Sequence, residues 1–291
     1  MRSEQEMYRL FRDIADEDDR ILAIYMNGSR TNRNAVQDIF QDYDIVFVVK
    51  DITPFINERE KWYTKFGEVL YMQFPDEFPE DLPENKDHYG WLMQFTDGNR
   101  VDLTVQSQEY AVKHILEDKL CRILLDKHHI LPEIPEATDE EHYVKRPSEA
   151  EFLACCNEYW WCSNNIAKGL WRKEMPYVQD MTNMVVRKQL EKLLSWKAGV
   201  KTDFTVSVGK SAKYLYRWLD EGEYDRYLST YFGGDVEEAW EAVFRMCDMV
   251  DSVARELANR LGFTYNEKEA AAARGYLEHV RELPPDATEV Y

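Results

Sequence analysis

Apolar and polar positions follow two regimes along this chain. In the first, a helical period comes early. Met7, Leu10, Phe11, Ile14 and Ala15 recur every three or four residues behind Ser3 and Glu6, a capping-box pair, and predict an amphipathic first helix. The period then drops to two or vanishes into apolar runs, the mark of strands. Residues 21–26 predict a first strand ending in a Gly28-Ser29 turn, and Tyr43–Val49 a second. Pro54 opens a short helix to about Phe66, and residues 68–73 predict a third strand. Residues 89–96 and 100–106 predict a hairpin across Asp97-Gly98, a strong turn dipeptide. A helix is expected from about Gln108, and Cys121–Asp126 supplies a last strand.

Two segments rich in proline and acid interrupt this order. The stretch FPDEFPEDLPENKDH spaces Pro75, Pro79 and Pro83 among acids and predicts a long loop. The stretch LPEIPEATDEEHYVKRP, residues 131–147, predicts an inter-domain linker. Beyond it every pattern is helical. Ser148 and Glu151 cap a helix carrying Phe152, Cys155, Tyr159, Trp160 and Ile166. A second is expected from Pro176 through Met184, Leu190 and Leu194 to a cap at Gly199. Asp235 with Glu238 starts a third, which stops at Gly262, and Asn266 with Glu269 starts the last. The fold class is therefore α+β: a mixed sheet with helices over residues 1–135, then a helical bundle over residues 136–291.

Composition narrows the class. At 291 residues the chain is long enough for two cores. No apolar run reaches membrane-span length, and MRSEQEMYRL lacks the apolar centre of a signal peptide, so a cytoplasmic location is expected, without membrane contact. Five cysteines with no C-x-x-C pair fit reduced thiols rather than a disulfide framework or a zinc site. A net charge of −19 argues against a nucleic-acid partner and would draw in a polycationic small molecule. Solubility alone is the plainer account of the same charge.

Candidate chemistry starts at the second strand. Its head, Asp42-Tyr43-Asp44, puts two acids on one face, in line with Val46 and Val48, while Tyr43, Ile45, Phe47 and Val49 take the other. Carboxylates heading a strand apolar on both faces are costly unless a cation meets them. Asp102 sits between Val101 and Leu103 on a later strand, sharing a polar face with Arg100, Thr104 and Gln106. If the strands are neighbours, Asp42, Asp44 and Asp102 converge and suit one or two Mg²⁺ ions, hard cations that bridge to substrate phosphates. Gly28 allows close backbone approach, the amides after it suit phosphate oxygens, Ser29 offers a hydroxyl, and Arg30 a neutralising charge. Taken singly, Asp-x-Asp and Gly-Ser are common; it is their order that is specific.

That order, GSR then DYD then VDL, resembles the nucleotidyltransferase superfamily. The longer matches GSRTN, FQDYD and RVDLTV, with VGKSAKYLYRWL in the helical half, resemble the aminoglycoside 6-adenylyltransferase family over the whole length. The resemblance implies a nucleotidyltransferase catalytic domain at residues 1–135 and a substrate-binding domain at 136–291. It implies transfer of AMP from ATP to the 6-hydroxyl of streptomycin, releasing pyrophosphate and conferring antibiotic resistance. Carried over by position, Asp42 and Asp44 would bind Mg²⁺, and Ser29 and Arg30 would hold the β- and γ-phosphates. Asp102 would take the proton of the attacking hydroxyl or serve as a third metal ligand.

Further positions are weighed against plainer roles. Lys210 and Lys213, on a helix expected after Gly209, would reach the triphosphate, as in related two-domain transferases, or lie solvated on the surface. Trp91, Trp160, Trp161, Trp171, Glu174 and Tyr177 are the aromatic and acidic groups suited to an aminoglycoside; Trp160 falls in the apolar stripe and is expected in the core. Asp76, Glu77, Glu80 and Asp81 would close over the cation or, more simply, line a solvated loop. His128-His129 are adjacent and expected at the surface. A monomer is expected. Two other readings stand beside this one: the same fold with a protein or RNA acceptor, and a non-catalytic protein whose acids hold a structural cation.

Overall fold

The computed structural model describes residues 1–77 and 87–291, which divide into two compact units, Met1–Glu141 and His142–Tyr291. Residues 136–141 belong to the first unit. Thr138 N donates to Lys119 O at 3.2 Å, Asn34 Nδ2 to Asp139 Oδ1 at 3.0 Å, and Lys119 Nζ lies 3.8 Å from Glu141.

The first unit is built on a mixed sheet. Helix α1 (Glu4–Asp16) opens with the capping box: Glu6 accepts from Ser3 N at 2.7 Å, and the Ser3 hydroxyl accepts from Glu6 N. Its buried stripe, Met7, Phe11, Ile14 and Ala15, lies on one face of the sheet. The strands are β1 (Ile21–Asn27), β2 (Tyr43–Val49), β3 (Val69–Gln73), β4 (His88–Phe95), β5 (Arg100–Ser107) and β6 (Cys121–Asp126). Among the described residues they run in the order β3-β4-β5-β2-β1-β6. Among the described residues β2 and β5 alone pair in parallel, and they do so at the centre of the sheet.

Both sides of β1 and β2 are covered, which explains their near-continuous apolar lettering. On one side Ile24, Met26, Tyr43, Ile45 and Phe47 pack with α1, Trp62, Phe66 and Trp91. On the other, Ala23, Tyr25, Val46 and Val48 pack with Ala111 and Ile115, at the end of α4 (Gln108–His114), and with Cys121. On β5, Val101, Leu103 and Val105 are buried while Asp102, Thr104 and Gln106 are partly exposed, the expected alternation. The helix expected over 54–66 is broken: α2 (Thr53–Asn57) and α3 (Arg59–Tyr63) meet at Glu58, whose φ of −105° and ψ of 21° leave the helical region, and a 3₁₀ turn follows. Of the expected acidic loop, residues 78–86, with Glu80 and Asp81, lie outside the described residues. Asp76 accepts from Gly90 N at 2.7 Å, and Glu77 accepts from the Tyr89 hydroxyl at 2.5 Å.

The second unit is helical. Helix α5 (Glu149–Trp171) starts at the Ser148/Glu151 capping box. Helix α9 (Val236–Leu261) starts at Asp235 and stops at Gly262, whose φ of 75° is the left-handed cap that glycine adopts without strain. Helix α10 (Glu267–Glu282) starts at Asn266, whose side chain accepts from Glu269 N. Phe152, Tyr159, Trp160, Leu190, Leu194, Trp240, Val250 and Leu257 form the core.

Two expectations fail here. The helix from Pro176 is not continuous: α6 (Met175–Asp180) passes through a π-helical turn, Met181–Val186, into α7 (Arg187–Lys201). Gly199 lies inside α7 rather than capping it. A Cβ there would meet the Phe204 ring at 2.5 Å, so the glycine is set by packing, and the cap falls at Thr202. A short helix α8 (Glu221–Leu228) was not expected.

Candidate active site

Asp44 and Asp102 are direct partners in the parallel β2–β5 register. Parallel neighbours keep the same face, so the two carboxylates project side by side. Asp42 joins them from the residue before β2, and ligand oxygens of all three lie within 4.8 Å of one another. The Gly28 turn ends the neighbouring strand, where Asn27 pairs with Asp44. At Gly28 the backbone has φ 77° and ψ −154°, a region tolerated essentially by glycine alone. A Cβ there would overlap the Asp44 carboxylate, with its Cγ only 2.9 Å away. Gly28 therefore creates the room that Asp44 occupies.

The electrostatics explain what such a cluster lacks. Burial, then the charges of Asp42 and Asp102, push the Asp44 carboxyl up to about 7. Asn27 Oδ1, on the strand opposite, is buried with no hydrogen-bond donor. Arg100 is the cation at hand: Nε and Nη2 donate to Asp102 at 2.8 and 2.6 Å, and Nε is 3.9 Å from Asp42. An all-oxygen set of three acids, with an unpartnered amide oxygen on the residue paired to Asp44, fits a hard divalent cation such as Mg²⁺. Asp42, Asp44 and Asp102 are the residues able to hold it.

Beside the acids, Ser29 opens a 3₁₀ turn, Ser29–Thr31, which Thr31 closes by donating to Gly28 O at 2.8 Å. Gln41 Nε2 donates to Ser29 Oγ at 3.4 Å. Arg30, expected to hold phosphate, spends its donors on the chain. Its Nε and Nη2 bind the carbonyls of Asp42 and Gln41 at 2.9 and 2.7 Å, and the guanidinium stacks 3.7 Å above the Tyr43 ring. It straps the head of β2 to the turn. Against the same turn lies a cavity of about 460 Å³ lined by Arg30, Asn32, Arg33, Arg122 and Glu136.

The remaining candidates divide by burial. Trp91 is 1% exposed, packed in the sheet core against Tyr89 at 4.8 Å, and has no ring face to offer a ligand. Trp160 is in the core, and Trp171 is partly buried, donating to Leu283 O at 3.3 Å. Trp161 is 69% exposed on α5. Tyr177 is exposed on α6, and Glu174, the residue before that helix, has a half-exposed side chain 3.9 Å from Arg172. Lys210 and Lys213 are exposed, but on a 3₁₀ turn rather than a helix, because Ser211 and Ala212 have φ of 55° and 58°. Sequence reasoning missed Arg100 and Asn27 as members of the site. The signal for Arg100 was its spacing of two from Asp102 on a strand, which puts both on one face; Asn27 had none, since cross-strand register is not written locally.

Residues 1–280 match the family model described as streptomycin adenylyltransferase. The chain is 36% identical over 265 residues to an aminoglycoside 6-adenylyltransferase of Campylobacter jejuni, covering 91% of each. It is 34% identical over 269 residues to one of Bacillus subtilis (strain 168), covering 91% of this chain and 93% of the relative. A crystal structure of an aminoglycoside 6-adenyltransferase from Bacillus subtilis aligns with 97% of this chain and 100% of its own, at 28% identity and a TM-score of 0.49.

Proposed function

The chain belongs to the streptomycin adenylyltransferase family, enzymes of the aminoglycoside nucleotidyltransferase class, and from that premise we propose that it transfers AMP from ATP to the 6-hydroxyl of streptomycin with Mg²⁺. The observation that supports this most is the register pairing Asp44 with Asp102, with Asp42 in the same 4.8 Å set, beside the Gly28-Ser29 turn.

The antibiotic hydroxyl attacks the α-phosphorus in line, an O–P bond forms, and the bond to pyrophosphate breaks. Asp42 and Asp44, together with Asp102 where it serves as a third ligand, would hold the Mg²⁺, which would supply positive charge against the phosphate oxygens. Ser29 Oγ and the amides of its turn orient the β- and γ-phosphates. Asp102, beside the other two acids, accepts the hydroxyl proton. The helical unit supplies antibiotic contacts: Trp161 and Tyr177 offer exposed rings and Glu174 a carboxylate to the guanidinium groups.

The test is pyrophosphate release from ATP and Mg²⁺ with streptomycin as acceptor, run beside protein and tRNA acceptors. Release with streptomycin alone supports the proposal. Release with another acceptor only, or with none, refutes it.

A further inference from the structure

We propose that Arg100 is the resident counter-ion of the acid triad, a latch that keeps Asp102 closed until a divalent cation displaces it; this rests on reading the triad as a metal site.

Arg100 and Asp102 stand two apart on β5, so their side chains leave the same face. The guanidinium lies back along the strand and donates to both Asp102 oxygens, at 2.8 and 2.6 Å, while its Nε reaches to 3.9 Å from Asp42 Oδ2. One cation thus spans two of the three acids. The charged groups facing the third are unequal: Asp42, Asp102 and Asp118 oppose ionisation of Asp44, and Arg100 favours it. Arg100 is thus a cation set directly against a cluster of three acids whose oxygens lie within 4.8 Å of one another.

The same contacts obstruct function. A divalent cation drawing on these oxygens must take Asp102 from a guanidinium at hydrogen-bond distance, and two cations that close repel. With both oxygens engaged by Arg100, neither Asp102 oxygen is open to an incoming hydroxyl. The conclusion therefore holds whether Asp102 acts as ligand or as base. Exposure shows which partner moves. The Asp102 side chain is 18% exposed and fixed on a central strand, whereas that of Arg100 is 46% exposed, on a long stem with water to swing into. Arg100 is a positioning residue, acting through Asp102, and its pairing sets the cation concentration at which the site becomes competent.

The test is calorimetric titration of the full chain with Mn²⁺, beside thermal melting in EDTA and in saturating Mn²⁺, for wild type, Arg100→Gln and Arg100→Lys. Arg100→Gln is expected to bind Mn²⁺ about tenfold more tightly, the effect of removing one competing charge-assisted pair. It should melt lower than wild type in EDTA, with the gap closing in Mn²⁺. Arg100→Lys, which keeps the charge, should stay near wild type in both. If Arg100→Gln binds Mn²⁺ no more tightly, or more weakly, the latch is refuted while the metal site stands. If wild type shows no saturable Mn²⁺ binding, or binding that survives Asp44→Asn, the metal reading fails and takes the latch with it.

Discussion

Asp44 is held where its charge is least welcome: burial and two neighbouring acids push its carboxyl up to about 7. A carboxyl raised on folding binds its proton more tightly in the native state than in the unfolded chain. Its stabilising contribution is therefore complete below the ordinary carboxylate range and is lost as pH rises through about 7. Metal-stripped protein should melt progressively lower from about pH 4 to pH 7 on this account, and Asp44→Asn should flatten that slope. Scanning calorimetry in EDTA across that range checks it; an unchanged slope in the variant would show that Asp44 is not the group responsible. On the proposed function the same substitution removes a metal ligand and leaves the core intact, so turnover should fall by at least about two orders of magnitude while melting in EDTA at pH 8 is unchanged or raised. Trp91 shows the opposite relation of residue to site: a large aromatic near the chemistry in sequence, yet committed to the core.

At the level of elements, the turn after β1 and the head of β2 are one device. Gly28 takes a conformation closed to other residues and vacates space for the Asp44 carboxylate, while Arg30 ties the carbonyls of Gln41 and Asp42 to the turn. Gly28→Ala should be doubly penalised. Backbone strain costs roughly 1–3 kcal/mol, and displacement of Asp44 by about an ångström lowers turnover on the order of a hundredfold. Urea denaturation and steady-state kinetics separate the two effects, and normal turnover in a folded variant would count against the packing argument. Arg30→Gln should likewise lower turnover through the position of β2, shifting the apparent Mg²⁺ requirement more than the KM for ATP. A rise confined to the KM for ATP would restore Arg30 as a direct phosphate contact.

For the whole molecule the field is set by an excess of acid, −19 formally. A polycationic antibiotic gains from that field and a polyanionic acceptor loses. With streptomycin as the proposed substrate, its KM should therefore rise from low to high salt while kcat changes little, because salt screens long-range attraction and leaves close contacts within the site largely intact. A salt-independent KM would show that recognition rests on short-range contacts alone. Legibility of the helices followed local signals in both units. In α1, α5, α9 and α10, polar caps and apolar stripes agreed, and each begins at the cap read from its letters. Where local signals were weak the reading slipped: at Glu58, at the π-helical turn before Arg187, and at Gly199, whose role depends on the Phe204 ring packed against it.

The amino-acid order by itself determined the strands β1 to β6, the capped helices and the candidacy of Asp42, Asp44 and Asp102, because periodicity, caps and turn residues act over a few positions. It also carried the family resemblance, since GSRTN, FQDYD and RVDLTV are contiguous strings. Only the tertiary structure decided that β2 and β5 lie in parallel with Asp44 opposite Asp102, that Arg100 closes over the acids, that Arg30 is spent on backbone carbonyls, and that Trp91 is buried. Those are contacts between residues remote in sequence or choices among side-chain rotamers. Their energies depend on what the rest of the chain brings alongside, which no local pattern encodes.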